Sequence, residues 1–153
     1  MRLTDFSVAR WRSADRLDEL LAVVHAAFAG FDPPSSVLRE TVADVAARQR
    51  DGLIIVAQAD GAFIGSVFAA PKDGSLYVTR LAVLPAWRNR GVGAALMTAV
   101  ENEARAAQCA KITLRVRISL PGNRAYFEKL GFAVIGRGQD DGRPPYDAME
   151  RLL

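Results

Sequence analysis

The sequence has little cysteine, little histidine and no long apolar run, and each shortage excludes a class of protein. A single cysteine, Cys109, rules out an internal disulfide and argues against a cysteine-based metal site, which fits a reducing compartment. No segment approaches the roughly 20 apolar residues that cross a bilayer, and the opening MRLTDFSVAR has no apolar stretch of signal-peptide length. We therefore expect a cytoplasmic protein with no membrane partner and no metal.

A strong charge of one sign is also missing. The formal net charge is +3, and the 20 basic residues are scattered among 17 acidic ones. This distribution argues against a nucleic-acid partner. A chain of 153 residues, 50% of them hydrophobic, is long enough to build one domain with its own core. We expect a single domain, 1–153, without repeats or a linker.

The first 50 residues predict an edge strand and two amphipathic helices. The strand is expected at the alternating apolar residues Leu3, Phe6 and Val8. Ser13 is a suitable N-cap for the first helix, which Gly30 ends. The apolar face of that helix consists of Leu17, Leu20, Leu21, Val24 and Phe28. A second helix ends near Gly52, and its apolar positions are Leu38, Val42, Val45 and Ala46.

The rest of the chain predicts a sheet with a crossover connection. Residues 53–59 and 62–70 are apolar runs joined by Asp60–Gly61, a strong hairpin signal. A third strand, 76–83, leads into a turn rich in arginine and glycine, at the edge of the sheet where ligands usually bind. The remaining predicted elements are a helix at 93–108, a strand at 111–118, a short helix at 123–130, and strands at 132–137 and 147–153.

The glycine-rich turn has the features of an anion site. Arg88, Gly91 and Gly93 have the spacing R-x-x-G-x-G directly before a helix, where free N–H groups and the helix dipole favour negative charge. Glycine lets the main chain approach a phosphate closely, and Arg88 and Arg90 can donate forked hydrogen bonds. We expect phosphate recognition here.

Two common phosphate motifs do not fit this turn. A P-loop needs a lysine after its second glycine, and none is present. A dinucleotide-binding turn needs a third glycine and a later acid, but Leu96 and Thr113 occupy those positions. A tight turn without a ligand is the remaining alternative, and the flanking strand, arginines and helix argue against it.

Two segments in order resemble the motifs of one enzyme family. LAVLPAWRNRGVGAAL resembles the acetyl-coenzyme A signature of the Gcn5-related N-acetyltransferases, and its matching residues are Val83, Pro85, Arg88, Gly91, Gly93 and Leu96. NRAYFEKLGF is similar to the family's asparagine-containing helix, and its matching residues are Asn123, Phe127, Glu128, Leu130, Gly131 and Phe132. The ordered pair is more specific than either motif alone, and the resemblance is close over 53–137.

The resemblance implies both a fold and an activity. The fold is a single α/β domain whose mixed sheet of six or seven strands is flanked by four helices, with the parallel strands 76–83 and 111–118 splayed apart. The activity is acetyl-CoA-dependent N-acetylation of a primary amine, in a small molecule or a peptide, by direct transfer in a ternary complex. The family also tends to form homodimers.

The resemblance further implies where coenzyme A binds. The backbone of the central strand would pair with the pantetheine arm, and the amides of residues 90–94 would hold the diphosphate. The implied coenzyme A contacts are Leu81, Ala82, Val83, Arg88, Asn89, Arg90, Gly91, Val92, Gly93, Ala94, Asn123 and Phe127. The backbone N–H of Leu81 or Val83 would stabilise the developing oxyanion.

The chain departs from the family at the proton-transfer residues. Family members often carry a tyrosine at the position of Phe127 that protonates the departing thiolate, so here either Tyr126 or water must do so; simple packing is the competing role for Tyr126. Strand 76–83 offers no carboxylate as a general base, and the other candidates are His25, Asp32 and Glu40. These gaps keep open an alternative function, a non-catalytic acyl-CoA sensor or interaction module.

Two more features bear on the acceptor. Arg115 and Arg117 share one face of strand 111–118, which is either a solvated face or a surface for an acidic acceptor. The loop from Arg143 to Tyr146 is expected to cover the acceptor entrance.

Overall fold

The computed structural model describes residues 5–153; residues 1–4, including Leu3 of the expected edge strand, lie outside that range. The strands are β1 (Ser7–Arg10), β2 (Leu53–Ala59), β3 (Ala62–Lys72), β4 (Ser75–Val83), β5 (Lys111–Arg117), β6 (Ala133–Gly138) and β7 (Tyr146–Leu152). The helices are α1 (Leu17–Phe28), α2 (Val42–Asp51), α3 (Val92–Ala106) and α4 (Pro121–Lys129), with 3-10 turns at Ser36–Arg39 and Pro85–Trp87. The strands form one sheet in the order β1-β2-β3-β4-β5-β7-β6, which confirms the expected fold.

The central strands are buried on both faces. In β2, Ile54 and Val56 belong to the core beneath α1 and α2, whereas Ile55 and Ala57 belong to the core beneath α3. Because both sets of side chains are covered, the strand reads as a continuous apolar run and not as an alternating one. The helices therefore form two layers, with the sheet between them.

The parallel strands β4 and β5 separate after a short paired stretch. Pairing is confined to Ser75–Tyr77 on β4 and Lys111–Thr113 on β5. Beyond it, β4 contains a bulge against β3, where Arg80 has a φ of 51°. A bulge bends its strand and sharpens the local twist, so the end of β4 leads away from β5. This divergence opens a gap in the middle of the sheet, as the splayed strands of the expected fold require.

The β2–β3 and β3–β4 hairpins both turn through an aspartate and a glycine in left-handed conformations. Asp60 and Gly61 have φ values of 50° and 79°, and Asp73 and Gly74 have 50° and 78°. Paired positive φ values fit the turn that matches the twist of two-residue hairpins. The Asp60–Gly61 prediction is confirmed, while β3 runs two residues beyond its predicted end because the second turn is equally tight.

The first helix begins later than Ser13 predicted. The Ser13 hydroxyl accepts a hydrogen bond from the Asp15 N–H at 3.0 Å, so it caps a turn that precedes the helix. The residue at the N-cap position is Arg16, whose φ of 63° is left-handed and whose side chain does not cap. Its guanidinium binds Glu19 instead, at 2.8 Å. The prediction that Ser13 caps α1 was wrong because the chain makes an extra turn between them.

The predicted second helix is two elements. Leu38 lies in the 3-10 turn Ser36–Arg39, after which Glu40 is extended. Thr41 then starts α2 with a capping box: its hydroxyl accepts the Asp44 N–H at 3.3 Å, and the Asp44 carboxylate accepts the Thr41 N–H at 2.9 Å. The sequence did not reveal this break, because the apolar residues from Leu38 to Ala46 have helical spacing throughout. A 3-10 turn also places an apolar residue on the same face after about three positions.

The C-terminal part completes the sheet around β5. Helix α4 begins at Pro121, two residues before the predicted start, since proline is well suited to a first helical turn. Strand β7 then inserts between β5 and β6, pairing with both in antiparallel register. Among residues 5–153, no helix is both long and apolar enough to cross a membrane.

Candidate functional site

The arginine and glycine turn presents bare backbone at the start of α3. Gly91, at the N-cap, has a φ of 83°, and no side chain caps the helix. The first intrahelical bond runs from the Ala95 N–H to the Gly91 carbonyl at 3.0 Å. The amides of Val92, Gly93 and Ala94 therefore have no partner within the helix. These free amides form the positive end of the helix dipole, and such a group of N–H donors can bind an anion.

The two glycines of this turn serve different purposes. A Cβ atom at Gly91 would meet nothing within 4 Å, so glycine is needed there for its left-handed backbone. A Cβ atom at Gly93 would lie 2.5 Å from the hydroxyl oxygen of Tyr126, so glycine is needed there for space. Any side chain at position 93 would therefore have to displace the Tyr126 hydroxyl.

A cavity of about 660 Å³ occupies the gap between β4 and β5 and extends to this turn. Eleven of the predicted site residues line it: Leu81, Val83, Arg88, Asn89, Gly91, Val92, Gly93, Ala94, Asn123, Tyr126 and Phe127. Two predicted residues do not. Ala82 is 1% exposed and packs in the core beneath α1, and Arg90 stacks over the ring of Trp87 at 5.0 Å. Within residues 5–153, the cavity walls carry four arginines and no carboxylate.

The edge of β4 that faces the cavity has free main-chain groups. The Leu84 N–H donates to the Ile64 carbonyl of the β2–β3 hairpin at 2.9 Å, and Ala82 pairs with β3 in the same ladder. Neighbouring residues of a strand point their N–H groups in opposite directions. The N–H of Val83 therefore points away from β3, toward the gap between β4 and β5.

Arg88 spans the mouth of the cavity. Its Nε donates to the Val83 carbonyl and its Nη2 to the Ala27 carbonyl at the end of α1, each at 3.4 Å. Both are long hydrogen bonds, and the side chain is exposed. The guanidinium thus lies between the turn and the edge of β4, and no carboxylate in the described part of the chain pairs with it.

Tyr126 shares the cavity wall with Phe127. Their rings meet edge to face at 5.2 Å, and Phe127 packs in turn against Phe132 at 5.7 Å. The Phe127 side chain belongs to the core, at 9% exposure, whereas Tyr126 is partly exposed. Burial of its hydroxyl raises the pKa of Tyr126 above the usual tyrosine value. The hydroxyl is therefore protonated at neutral pH and available as a donor.

The three candidate general bases differ in position. His25 on α1 has its Nε2 3.1 Å from the Glu40 carbonyl, and it does not line the cavity. Asp32 is exposed and also lies outside the cavity wall. Glu40 lines a second cavity, but its Oε1 accepts hydrogen bonds from Arg48, at 2.9 Å, and from Arg80. None of the three faces the gap with a free basic atom.

The ion pair of Glu40 with Arg80 was not foreseen from the sequence. The two side chains are 9% and 18% exposed, and burial lowers the pKa of Arg80 while Glu40 opposes that change. The Oε2 of Glu40 and the Nε of Arg80 are buried without hydrogen-bond partners. A charged residue in a buried strand requires a partner, so the sequence did indicate that Arg80 would be paired. The identity of the partner, 40 positions away, was not readable.

Arg115 and Arg117 are both engaged within the chain. Arg115 binds the Asp140 carboxylate at 3.2 Å and stacks over Tyr146 at 4.3 Å. Arg117 donates to the Pro33 carbonyl at 2.7 Å, which ties the α1–α2 connection to β5. Both still line the cavity. These contacts occupy part of the face that the sequence left as either solvated or acceptor-binding, and Arg117 has no carboxylate partner in residues 5–153.

Comparison with known proteins agrees with this geometry. The family model described as "Acetyltransferase (GNAT) family" matches residues 17–132. Ribosomal-protein-S18-alanine N-acetyltransferase from Escherichia coli is 21% identical, with a TM-score of 0.77 over 97% of this chain and 94% of that one. No curated protein matches the sequence.

Two archaeal structures are similar over nearly their whole length. Ard1 from Thermoplasma volcanium is 17% identical, with a TM-score of 0.83 over 98% of this chain and 99% of that one. PaiA N-acetyltransferase from Thermoplasma acidophilum, solved in complex with coenzyme A, is 18% identical, with a TM-score of 0.80 over 98% and 100%. At these identities the likeness concerns the fold.

Proposed function

The chain belongs to the acetyltransferase (GNAT) family, and from that premise we propose that the cavity between β4 and β5 is where it acetylates a primary amine. The activity is that of an acetyl-CoA-dependent N-acetyltransferase. The observation that carries the proposed location is the continuity of the cavity, which joins the free amides of α3 to the unpaired edge of β4. One ligand with an anionic end and a peptide-like arm fits both.

The residues at the turn suit the diphosphate of coenzyme A. The free amides of Val92, Gly93 and Ala94 would donate to its oxygens, and Arg88 would add charge-assisted hydrogen bonds. A Cβ atom at Gly93 would crowd this surface against Tyr126. The main chain of Leu81 and the N–H of Val83 would pair with the pantetheine amides as a neighbouring strand does. Asn123 and Phe127 of α4 also line the cavity.

The reaction needs an electrophile, a neutral amine and two proton transfers. Acetyl-CoA supplies a thioester whose carbonyl carbon the amine attacks, so that a C–N bond forms as the C–S bond breaks, the nitrogen loses a proton and the sulfur gains one. The N–H of Leu81 or Val83 would donate to the oxygen that becomes negative, and such a preorganised donor contributes about 3 kcal/mol. We propose direct transfer within a ternary complex.

Proton transfer rests on Tyr126 or on water. The Tyr126 hydroxyl is partly buried, protonated at neutral pH and close to Gly93, so it is the side chain best placed to donate to the departing sulfur. No carboxylate lines the cavity, and a water molecule would therefore take the proton of the amine.

A measurement of thiol release tests this function. Purified protein is mixed with acetyl-CoA and a panel of primary amines, and free thiol is followed together with the acetylated product. The proposal expects release that depends on both acetyl-CoA and an amine. Release at the same rate without any amine would contradict transfer to an acceptor.

A non-catalytic acyl-CoA sensor is the second candidate. It is favoured by Phe127, which cannot donate a proton, and by a cavity without a carboxylate. This candidate expects saturable binding of acetyl-CoA with no turnover across the whole panel. Amine-dependent turnover would reject it.

We also propose a cytoplasmic location and a homodimer. One partly buried cysteine, Cys109, suits a reducing compartment.

The outer strand β6 leaves an edge of the sheet uncovered and exposes Ile135, which gives a second copy a surface for pairing. Light scattering separates a 16.6 kDa monomer from a particle of twice that mass.

A further inference from the structure

A second cavity adjoins the one between β4 and β5. Its volume is about 530 Å³, and it is lined by residues of α2, the 3-10 turn Ser36–Arg39, β3, β4 and the β6–β7 loop. Tyr77, Thr79 and Arg80 line both cavities, so they share a wall on β4. Under the proposed function, this second cavity is open to the point where the amine meets the thioester.

Some of the charged side chains that line the second cavity have ion-pair or hydrogen-bond partners, and others do not. Arg48 and Arg80 both bind Glu40, so that one carboxylate serves two guanidinium groups. Asp44 is committed to the start of α2, where its hydrogen bonds with Thr41 lower its pKa. Asp51, the third carboxylate of the lining, lies 3.9 Å from Arg50. Each of the three carboxylates therefore has a partner, and the two remaining arginines bring the lining to four arginines against three carboxylates.

Arg39 and Arg143 line the cavity without a partner. They come from separate elements, the 3-10 turn Ser36–Arg39 and the β6–β7 loop, and both are exposed. Within residues 5–153, neither guanidinium makes an ion pair, a side-chain hydrogen bond or a ring contact. Two free guanidinium groups that converge on one cavity can donate forked hydrogen bonds to a single carboxylate.

Further cationic side chains lie beside the wall that the two cavities share. Lys72 and Arg115 lie over the ring of Tyr77, at 5.1 Å and 5.9 Å. The first cavity contributes Arg88 and Arg117 and no carboxylate. Because the three carboxylates of the second cavity all have partners, its unpaired charges are positive, and an acceptor with a negative group would be attracted more strongly than a polycation.

Positive charge near the bound amine also affects how readily the amine loses its proton. A free alkylamine is almost entirely protonated at neutral pH, because its pKa is near 10. Nearby positive charges disfavour an ammonium ion and so lower its pKa. An amine held beside these arginines would lose its proton to water more readily than it does in solution, which lessens the demand for a basic side chain.

We propose that the acceptor is a primary amine that carries a carboxylate, and that Arg39 and Arg143 bind this carboxylate in the second cavity. The amine then faces Tyr77 and Thr79 at the shared wall. This inference rests on the proposed function and adds the chemical class of the acceptor. Arg39 and Arg143 determine specificity; neither takes part in bond making.

Matched acceptors test the proposal. Acetylation of β-alanine, 4-aminobutyrate and 6-aminohexanoate is compared with that of their carboxamides, at equal concentrations of free amine. Dipeptide amides with glutamate or glutamine in second position separate a peptide acceptor from a small molecule, and spermidine serves as the polycation. We expect kcat/KM to be at least about tenfold higher for the carboxylate of the best pair.

Three variants connect this preference to the cavity. Arg39→Gln and Arg143→Gln should each raise the KM for the carboxylate about fivefold to tenfold, and the double variant should abolish the preference. Arg105→Gln is the matched control, because Arg105 lies on α3 and pairs with Glu101 away from both cavities. Each variant is checked for folding by its affinity for coenzyme A.

The outcomes separate this inference from the proposed function. Equal kcat/KM for acid and carboxamide, or a preference that both variants retain, overturns the inference while turnover upholds the function. Absence of turnover with every amine overturns the function. In that case the carboxylates are titrated into the protein with coenzyme A bound, and lack of saturable binding that depends on Arg39 overturns the inference as well.

Discussion

The hydroxyl oxygen of Tyr126 lies against Gly93, where a Cβ atom would be only 2.5 Å away. The contact joins the two sequence motifs in space, because Gly93 belongs to the turn before α3 and Tyr126 to α4. The next atoms of the ring and of Val83 would be 3.5 Å and 3.9 Å from that Cβ, which are ordinary contacts. Of the three nearest atoms, the hydroxyl oxygen is therefore the one that a side chain at position 93 would have to displace.

We expect Gly93→Ala to lower the free energy of unfolding by about 1 kcal/mol or more, because the hydroxyl of Tyr126 must move to admit the new methyl group. The double variant with Tyr126→Phe should recover most of that loss, since the overlapping atom is gone. Urea unfolding of both variants measures the effect. Equal stability of the single and double variants would show that the contact is not the cause.

Gly91 should respond to substitution in a different way. Its space is open, but its φ is 83°, so Gly91→Ala should cost about 1 kcal/mol through backbone strain. Gly91→Asn should cost less, because asparagine tolerates the left-handed region. Urea unfolding compares the two. If alanine were tolerated as well as asparagine, backbone conformation would not explain this glycine.

Tyr126→Phe tests the general acid. If the hydroxyl protonates the departing sulfur, kcat should fall by about tenfold to a hundredfold, while the KM for acetyl-CoA changes little. Because burial raises the pKa of Tyr126, its proton is present at neutral pH and is lost only in alkaline solution above the usual value of about 10. The wild-type rate should therefore lose an acid-dependent component there that the variant lacks. An unchanged kcat would assign proton donation to water.

The two arginines that share Glu40 allow a comparison within one cluster. Glu40→Gln leaves the mostly buried Arg80 without its counter-charge and should lower the free energy of unfolding by about 3 kcal/mol. Arg48 is more exposed, at 36% of its side chain, and Arg48→Gln should cost less than about 1 kcal/mol. Thermal or urea unfolding compares the variants. Similar losses from both would contradict a special role for the Arg80 pair.

Local signals predicted a large part of the fold. The Asp60–Gly61 hairpin and the strand, turn and helix around Gly91 depend on neighbouring residues, and both are where the sequence indicated. The two cores also follow from local patterns, since β2 reads as apolar on both faces. The family resemblance added the splayed strands, and the short β4–β5 pairing agrees with it.

The sequence failed where distant contacts or unusual backbone decide. Arg16 adopts a left-handed conformation that its residue type does not favour, so Ser13 seemed the natural cap. The Glu40–Arg80 pair joins positions far apart in the chain. Which arginines remain unpaired, as Arg39 and Arg143 do, depends on all of the ion pairs around them. Such features follow from the completed fold and not from any segment.

The central claim is that the turn before α3 and the free edge of β4 hold coenzyme A, and a calorimetric titration with acetyl-CoA tests it most directly. Wild-type protein should bind one equivalent with saturation well below millimolar ligand. Gly91→Glu should abolish the heat of binding, because its carboxylate would stand against the diphosphate, while Arg105→Gln should bind like the wild type. No binding to wild-type protein at millimolar acetyl-CoA, or unchanged affinity of Gly91→Glu, would contradict the account.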